Sequence, residues 1–304
     1  MTAAVKSSPH AFVIGGTGFV GRNLLPILLG KGWTVTAMTR RMGEADSRIR
    51  WLEVSSVETA LKEAEAIAPI DTVFHLAGRV NGSPREIKRD NADVTAAMLA
   101  ALEDSRSRPK IVYLSSVSAI DRLGLYGDAK RTAEEMIHAS GHGFAILRSS
   151  LIYGAHEKGN VARLIEAARA WPLIPIPGGH RTKLQPLYVD DLCGAIVSGA
   201  SVSSNEVYVL SGPRQERLWD MVRMICTRLD RSPTLVAIPL LPLQIAARAI
   251  SVLPISGSLP IQQISTLHDH PAWVSDKAMR ELDFAPRTFA EGIARYISNG
   301  ATAN

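Results

Sequence analysis

The sequence predicts an α/β fold: a doubly wound parallel sheet followed by a smaller, mostly helical C-terminal region. Three observations predict it. Short apolar runs alternate with amphipathic, helix-length stretches over residues 11–148. The first apolar run meets a glycine cluster that opens a helix. After Tyr153 the rhythm breaks, and prolines gather at Pro172, Pro175 and Pro177 and again at Pro239, Pro242, Pro254 and Pro260.

Each element follows from its residues. Residues 11–14 are an apolar strand, and residues 19–29 carry apolar side chains at helical spacing. Residues 33–38 and 49–54 read as the second and third strands, with a helix over 57–68. A fourth strand covers 72–76, a helix 92–102, and a fifth strand 110–114. A helix over 130–139 leads to a sixth strand beginning at 145–148, and residues 207–210 return to the sheet. Right-handed crossovers between such strands give the doubly wound order.

Composition bounds the function. The chain has 304 residues, 46% apolar and 21% charged, which is ample for a core. The net charge of +5 suits a small anionic ligand. No run of Lys or Arg exceeds two residues, so the footprint of a nucleic-acid binder is missing. Two distant cysteines, Cys193 and Cys226, read as buried thiols of a reducing compartment, and the cytoplasm is the expectation. Residues 1–10 carry no apolar signal core. No charge-free apolar stretch is long enough to span a bilayer; residues 238–264 come nearest, but prolines and Arg248 interrupt them. That segment reads as a substrate-domain helix, with peripheral contact to a membrane or partner as the alternative. His268 and His270 lack further ligands, so no metal is expected.

Gly15, Gly18 and Gly21 stand in Gly15-Gly16-Thr17-Gly18-Phe19-Val20-Gly21, after a strand and at the start of a helix. The first permits a tight turn and the second lets the backbone approach a pyrophosphate. The third allows close helix–strand packing. The reading is a dinucleotide-binding Rossmann domain over residues 1–155 and a substrate-binding region over 156–304. The second strand ends on Arg40 and Arg41, where an NAD-selective site carries an acidic residue. A guanidinium pairs with a 2′-phosphate, so NADP is favoured and NAD is the second choice.

Tyr126 and Lys130 are four residues apart, on one face of a helix. A neighbouring ammonium lowers a phenol's pKa, and Tyr126 then exchanges a proton with a substrate oxygen while hydride moves. Ser116 follows the fifth strand, where it hydrogen-bonds the reacting oxygen; Ser115 and Ser118 are the alternatives. Asp190 and Asp191 read as caps of the following helix.

The glycine motif, His75-Leu76-Ala77-Gly78, Asn91, Leu114-Ser115-Ser116, Tyr126 with Lys130, the stretch 148–154 and Tyr188-Val189-Asp190-Asp191 occur in this order, with 282–292 closing the series. In these features the chain resembles the extended short-chain dehydrogenase/reductase family, the NAD-dependent epimerase/dehydratase-like group. The resemblance implies that Ser116, Tyr126 and Lys130 are catalytic and that Leu76, Ala77, Gly78, Asn91 and Ser115 contact the cofactor. It also implies a homodimer. Two features depart from the sugar-nucleotide epimerases. Leu184 stands where they keep an arginine for the substrate diphosphate, and only nine residues separate Ser116 from Tyr126. Both features, with Gln185-Pro186 and residues 268–275, resemble the branch related to an accessory subunit of respiratory complex I. Many members of that branch have lost the tyrosine–lysine pair kept here.

Three functions follow as expectations. The first is an NADP-dependent reductase or dehydrogenase acting on a carbonyl or alcohol of a small molecule. The second is a nucleotide-sugar epimerase or dehydratase, with Asn160, Arg181 and Lys183 holding the substrate. The third is a cofactor-bound assembly protein without chemistry.

Overall fold

Residues His10–Ile14 (β1) are buried along their whole length, as a central parallel strand covered on both faces must be. The computed structural model describes residues 8–39, 46–203, 205–239 and 271–299. The chain divides into two units and crosses between them several times. One comprises Met1–Ser149, Val189–Leu210 and Ser275–Ala285; the other comprises Ser150–Tyr188, Ser211–Val274 and Pro286–Asn304.

In the first unit β1 is followed by Phe19–Gly30 (α1), Thr34–Thr39 (β2), Ile49–Glu53 (β3), Val57–Ile67 (α2) and Thr72–His75 (β4). Next come Pro84–Lys88 (α3), a π-helical turn at Arg89–Asp93, Val94–Glu103 (α4), Lys110–Ser116 (β5), Gly124–Ala139 (α5) and Phe144–Ser149 (β6). Val189–Gly199 (α7), Glu206–Leu210 (β11) and Asp276–Glu281 (α9) complete it. The strands form one sheet in the order β11-β6-β5-β4-β1-β2-β3, and every pair is parallel. This is the doubly wound sheet that the sequence predicts. The order reverses between β1 and β4, the place where such sheets take ligands.

Local chemistry explains the helices. In α2, Val57, Ala60, Leu61 and Ala64 are buried at helical spacing. Ser56 caps it, accepting from the Thr59 amide at 3.3 Å. Ser83 and Glu86 form a capping box at the start of α3. The core joins Phe12, Ile14, Tyr113 and Ile146 of the sheet to Leu61, Met98 and Ile137 of the helices. Each such side chain contributes about 1.5–3 kcal/mol on burial.

In the second unit are Leu151–Tyr153 (β7), Asn160–Ala170 (α6), Leu173–Pro177 (β8), Lys183–Leu184 (β9) and Pro186–Tyr188 (β10). Glu216–Arg217 (β12), Leu218–Arg228 (α8), Thr234–Ile238 (β13) and Phe289–Ser298 (α10) follow. The strands pair as β10-β7, β12-β9 and β13-β8. These pairings go beyond the mostly helical expectation, because strands of two to five residues carry too little alternation to be read. Tyr153, Ile165, Met221, Phe289 and Ile293 form the core of this unit.

Cys193 and Cys226 are free and buried. Among the described residues no helix is long and apolar enough to cross a membrane. Arg40, Arg41, His268, His270 and positions 240–264 of the apolar segment lie outside the described residues.

Candidate active site

The chain leaves β1 at Gly15 with φ +89°, a conformation closed to most side chains. A Cβ there would stand 2.8 Å from the Ala77 nitrogen, so the loop lies directly against the segment leaving β4. The Gly18 amide donates to the Gly15 carbonyl at 3.0 Å and closes the turn. At Gly21 a side chain would collide with the Gly15 and Gly16 carbonyls; its absence lets α1 cross the loop closely. Thr17 and Gly18 are exposed, and no side chain caps α1. The free amides and positive end of this helix form an anion cradle that fits a dinucleotide pyrophosphate. Phe19 and Val20 are the first helical residues of that cradle. Leu76, tied by its amide to the Ile14 carbonyl at 2.9 Å, and Ala77 are half-buried beside it, and Gly78 is exposed.

β5 ends at Ser116 and gives way to a single turn, Val117–Ala119. The Ser116 hydroxyl accepts from the Ser118 amide at 3.2 Å and lies close enough to the Tyr126 phenol to favour its ionised form. The Leu123 amide donates to the Ser118 carbonyl at 3.0 Å and ties this turn to the start of α5. Helix α5 starts six residues before the expected 130, at Gly124, so Tyr126 and Lys130 share it. Ser116, Ser118 and Tyr126 therefore meet at the carboxyl end of the sheet. Burial pushes the Tyr126 phenol up to about 12, against the pull of Ser116.

That direction is opposite to the lowering expected from Lys130, and the reason is geometric. Lys130 is 2% exposed, and its amine donates to the Leu114 carbonyl at 2.8 Å and the Ala77 carbonyl at 3.4 Å. It lies over the Tyr113 ring, 4.7 Å from the centroid. Burial pulls the amine down to about 7, while Glu134 opposes the fall. The lysine is thus held beneath the segment 77–78 rather than against the phenol.

Asn91 lies in the π-helical turn, a feature frequent at functional sites. Its amide nitrogen donates to the Arg79 and Ile87 carbonyls at 2.9 and 2.7 Å. Its oxygen is buried without a hydrogen-bond partner among the described residues. That oxygen and the Lys130 amine would lie 3.0 and 2.9 Å from a Cβ on Gly78; glycine leaves this corner open. His75 Nε2 meets Thr95 Oγ1 at 2.9 Å. Since Thr95 gives its own proton to the Asn91 carbonyl at 2.7 Å, His75 donates through Nε2. Burial pulls its imidazole down to about 3, so it is neutral near pH 7.

The Ser115 hydroxyl turns to α5 and donates to Glu134 Oε1 at 2.6 Å. Arg148 closes on the same carboxylate with Nε to Oε1 at 2.9 Å and Nη2 to Oε2 at 2.6 Å. Sequence reasoning passed over Glu134. Its one signal is a carboxylate one helical turn beyond Lys130, next to the helix face already singled out.

The remaining candidates lie in the second unit. Asn160 is the exposed first residue of α6. Arg181 is exposed in the turn after β8, its amide bonded to the Gly178 carbonyl at 3.0 Å. Leu184 pairs with Glu216 in the β9–β12 ladder. In the first unit, Asp190 and Asp191 lie inside the first turn of α7 rather than before it, where acidic side chains complement the helix dipole.

Residues 11–210 match the family described as the NAD dependent epimerase/dehydratase family. The chain belongs to that family. Among similar members, a 4-hydroxy-2-methyl-3-oxo-4-farnesyl-3,4-dihydroquinoline-1-oxide ketoreductase of Stigmatella aurantiaca is 27% identical, over 93% of this chain and 94% of its own. The mitochondrial NADH dehydrogenase (ubiquinone) 1 alpha subcomplex subunit 9 of Dictyostelium discoideum is also 27% identical, over 66% of this chain and 59% of its own. The crystal structure of UDP-glucuronic acid 4-epimerase from Bacillus cereus in complex with NAD superposes with a TM-score of 0.73 at 20% identity, covering 95% of this chain and 99% of the other. The epimerase shares the fold of this family member. The other two are similar to it in sequence, on the reductase side and on the complex I side of the resemblance.

Proposed function

We propose that the protein is an NADP-dependent oxidoreductase that reduces the carbonyl of a small, apolar molecule to an alcohol. The observation that carries this reading is the placement of the Tyr126 phenol beside Ser116 at the carboxyl end of β5, with the phenol raised to about 12 by burial. A phenol that keeps its proton at neutral pH suits proton donation to a carbonyl under reduction.

In this reading Gly15, Thr17, Gly18, Phe19, Val20 and Gly21 hold the pyrophosphate. Leu76, Ala77, Gly78 and Asn91 line the nicotinamide side, and Arg40 and Arg41 take the 2′-phosphate, which favours NADP over NAD. A reduced nicotinamide held there would supply the hydride that the carbonyl carbon takes up. Tyr126 gives its proton to the carbonyl oxygen, and Ser116 hydrogen-bonds the same oxygen as negative charge develops there. Tyr126 then regains a proton from solvent. Lys130 holds the cofactor ribose and carries positive charge near the site. Ser118 contacts the substrate, and Asn160 and Arg181 are the substrate-binding candidates of the second unit. The ketone class draws support from the Stigmatella ketoreductase, similar over nearly the full length of both chains. The absence of the diphosphate arginine at Leu184 weighs against a sugar nucleotide. The same reading places a homodimer in the cytoplasm.

The test is a fluorescence titration of the purified protein with NADPH and with NADH, followed by cofactor consumption with apolar ketones and with UDP-sugars. Tighter NADPH binding and ketone-dependent oxidation are expected. A preference for NADH removes the arginine argument. Turnover of a UDP-sugar without net cofactor consumption replaces the reductase reading with the epimerase.

A further inference from the structure

Glu134 is 1% exposed, a depth at which an ionised carboxylate survives only with partners. It has three. Ser115 reaches it from the end of β5 at 2.6 Å, and Arg148 grips it from β6 with a two-pronged pair. Arg131, on its own helix, lies at 3.7 Å. Ser115 and Arg148 are themselves register partners across the β5–β6 ladder. One carboxylate therefore fastens α5 to two adjacent strand ends, and its β5 partner Ser115 is the neighbour of Ser116. The same carboxylate is one helical turn from Lys130.

We infer that Glu134 is a positioning residue, which clamps the β5 and β6 ends to α5 and favours the protonated form of the buried Lys130 amine one helical turn away. The inference rests on the proposed role of Lys130 in the site. Other groups facing this amine do not supply the charge. His75 on β4 is neutral near pH 7 and, when protonated, opposes it. Tyr113 on β5, raised well above its ordinary value by burial, keeps its proton, as does Tyr126 on α5. Arg148 on β6 and Arg131 on α5 are cations committed to Glu134. Among the described residues, Glu134 is the group whose charge favours the protonated lysine.

The experiment is a side-chain NMR titration of the Lys130 amine in the full-length protein, wild type against Glu134→Gln, with Lys130→Met to assign the signal. The expected result is a midpoint lowered by about one unit or more. Glu134→Asp, which restores the charge, is expected to bring the midpoint back toward wild type. If Glu134→Gln does not fold, Glu134→Gln/Arg148→Met is compared with Arg148→Met alone, so that the lost guanidinium cancels, and the same lowering is expected. A midpoint that stays at the value of its reference, wild type for Glu134→Gln and Arg148→Met for the paired variant, overturns the inference, whatever the activity. A pH–rate profile of the same variants reports on the function separately. A lowered amine midpoint with an unmoved profile leaves the inference standing and removes Lys130 from the proposed chemistry.

Discussion

The Lys130 amine stands 4.7 Å from the centre of the Tyr113 ring and gives its shortest hydrogen bond to the carbonyl of the next residue, Leu114. A cation placed so deeply is stabilised by dipoles and a ring face rather than by water, and its titration becomes part of folding.

The pH dependence follows with a definite sign. The folded amine titrates at about 7, against 10.5 for the ordinary lysine. Between those values the unfolded chain binds a proton that the folded chain does not, so stability rises with pH across that window. Below about 7 both states are protonated and the contribution is constant. At about 1.4 kcal/mol per unit the rise amounts to a few kcal/mol. Urea unfolding at pH 7 and at pH 9.5 measures it. Lys130→Met is expected to remove this part of the slope; an identical slope in the variant would refute the assignment.

His75 gives a second window on the acid side. Its folded value of about 3 lies below the ordinary 6.5 because the ring is buried. The unfolded state therefore binds the extra proton between about 6.5 and 3. The stability present above 6.5 is lost as pH falls through that range, by an amount on the order of a few kcal/mol. His75→Phe is expected to be less stable than wild type at pH 7, where the Thr95 contact is lost. That deficit should shrink on acidification. A deficit that stays constant from pH 7 to 4 would show that the imidazole is not the titrating group.

Tyr126 separates binding from chemistry. Its phenol lies beside Ser116, while the glycine cradle is built from other residues. Tyr126→Phe is expected to lower kcat by roughly 10²–10⁴-fold, the usual worth of a positioned proton donor. NADPH affinity should change by less than about threefold, since 1.4 kcal/mol would already be tenfold. Retained turnover in the phenylalanine variant would remove Tyr126 from the reaction.

The parts of this architecture that local pattern encodes are visible in the sequence. The run from His10 to Gly21 shows a buried strand, a turn and a helix within a dozen residues, and each step has its own residue signature. The tyrosine–lysine spacing likewise marks one helix face, although the helix begins earlier than its apolar pattern suggests. Gly124-Leu125-Tyr126-Gly127 breaks that pattern with two glycines and two exposed or half-exposed residues. What the sequence hides is long-range. Glu134 meets Ser115 and Arg148 across 19 and 14 residues, and nothing local announces either meeting. The direction of the Lys130 side chain is equally silent, because spacing gives a shared face but not which acceptors win. The π-helical turn around Asn91 reads simply as the start of the helix expected over 92–102, since one extra residue in a turn leaves no compositional mark.

Gln185 illustrates how a two-residue signature acquires a physical meaning. In Gln185-Pro186 the glutamine is buried, and its amide nitrogen faces the carbonyls of Gly212 and Trp273 at 2.7 and 2.9 Å and the Ser211 hydroxyl at 3.1 Å. Its oxygen accepts from the Trp273 amide at 2.8 Å. One side chain thus ties residues 211–212 to residue 273 inside the second unit. Gln185→Ala would strand those backbone groups, and each buried loss costs about 1–3 kcal/mol. The expected destabilisation is about 3 kcal/mol, read as a lower urea midpoint with an unchanged m-value. Gln185→Glu is the sharper variant. At neutral pH it faces three acceptors with no proton to give, so it should be at least as damaging as alanine. On acidification the protonated acid regains a donor, and the glutamate variant should recover part of its stability relative to alanine. If the two variants keep the same gap from pH 7 to 4.5, the donor role of the Gln185 amide is wrong.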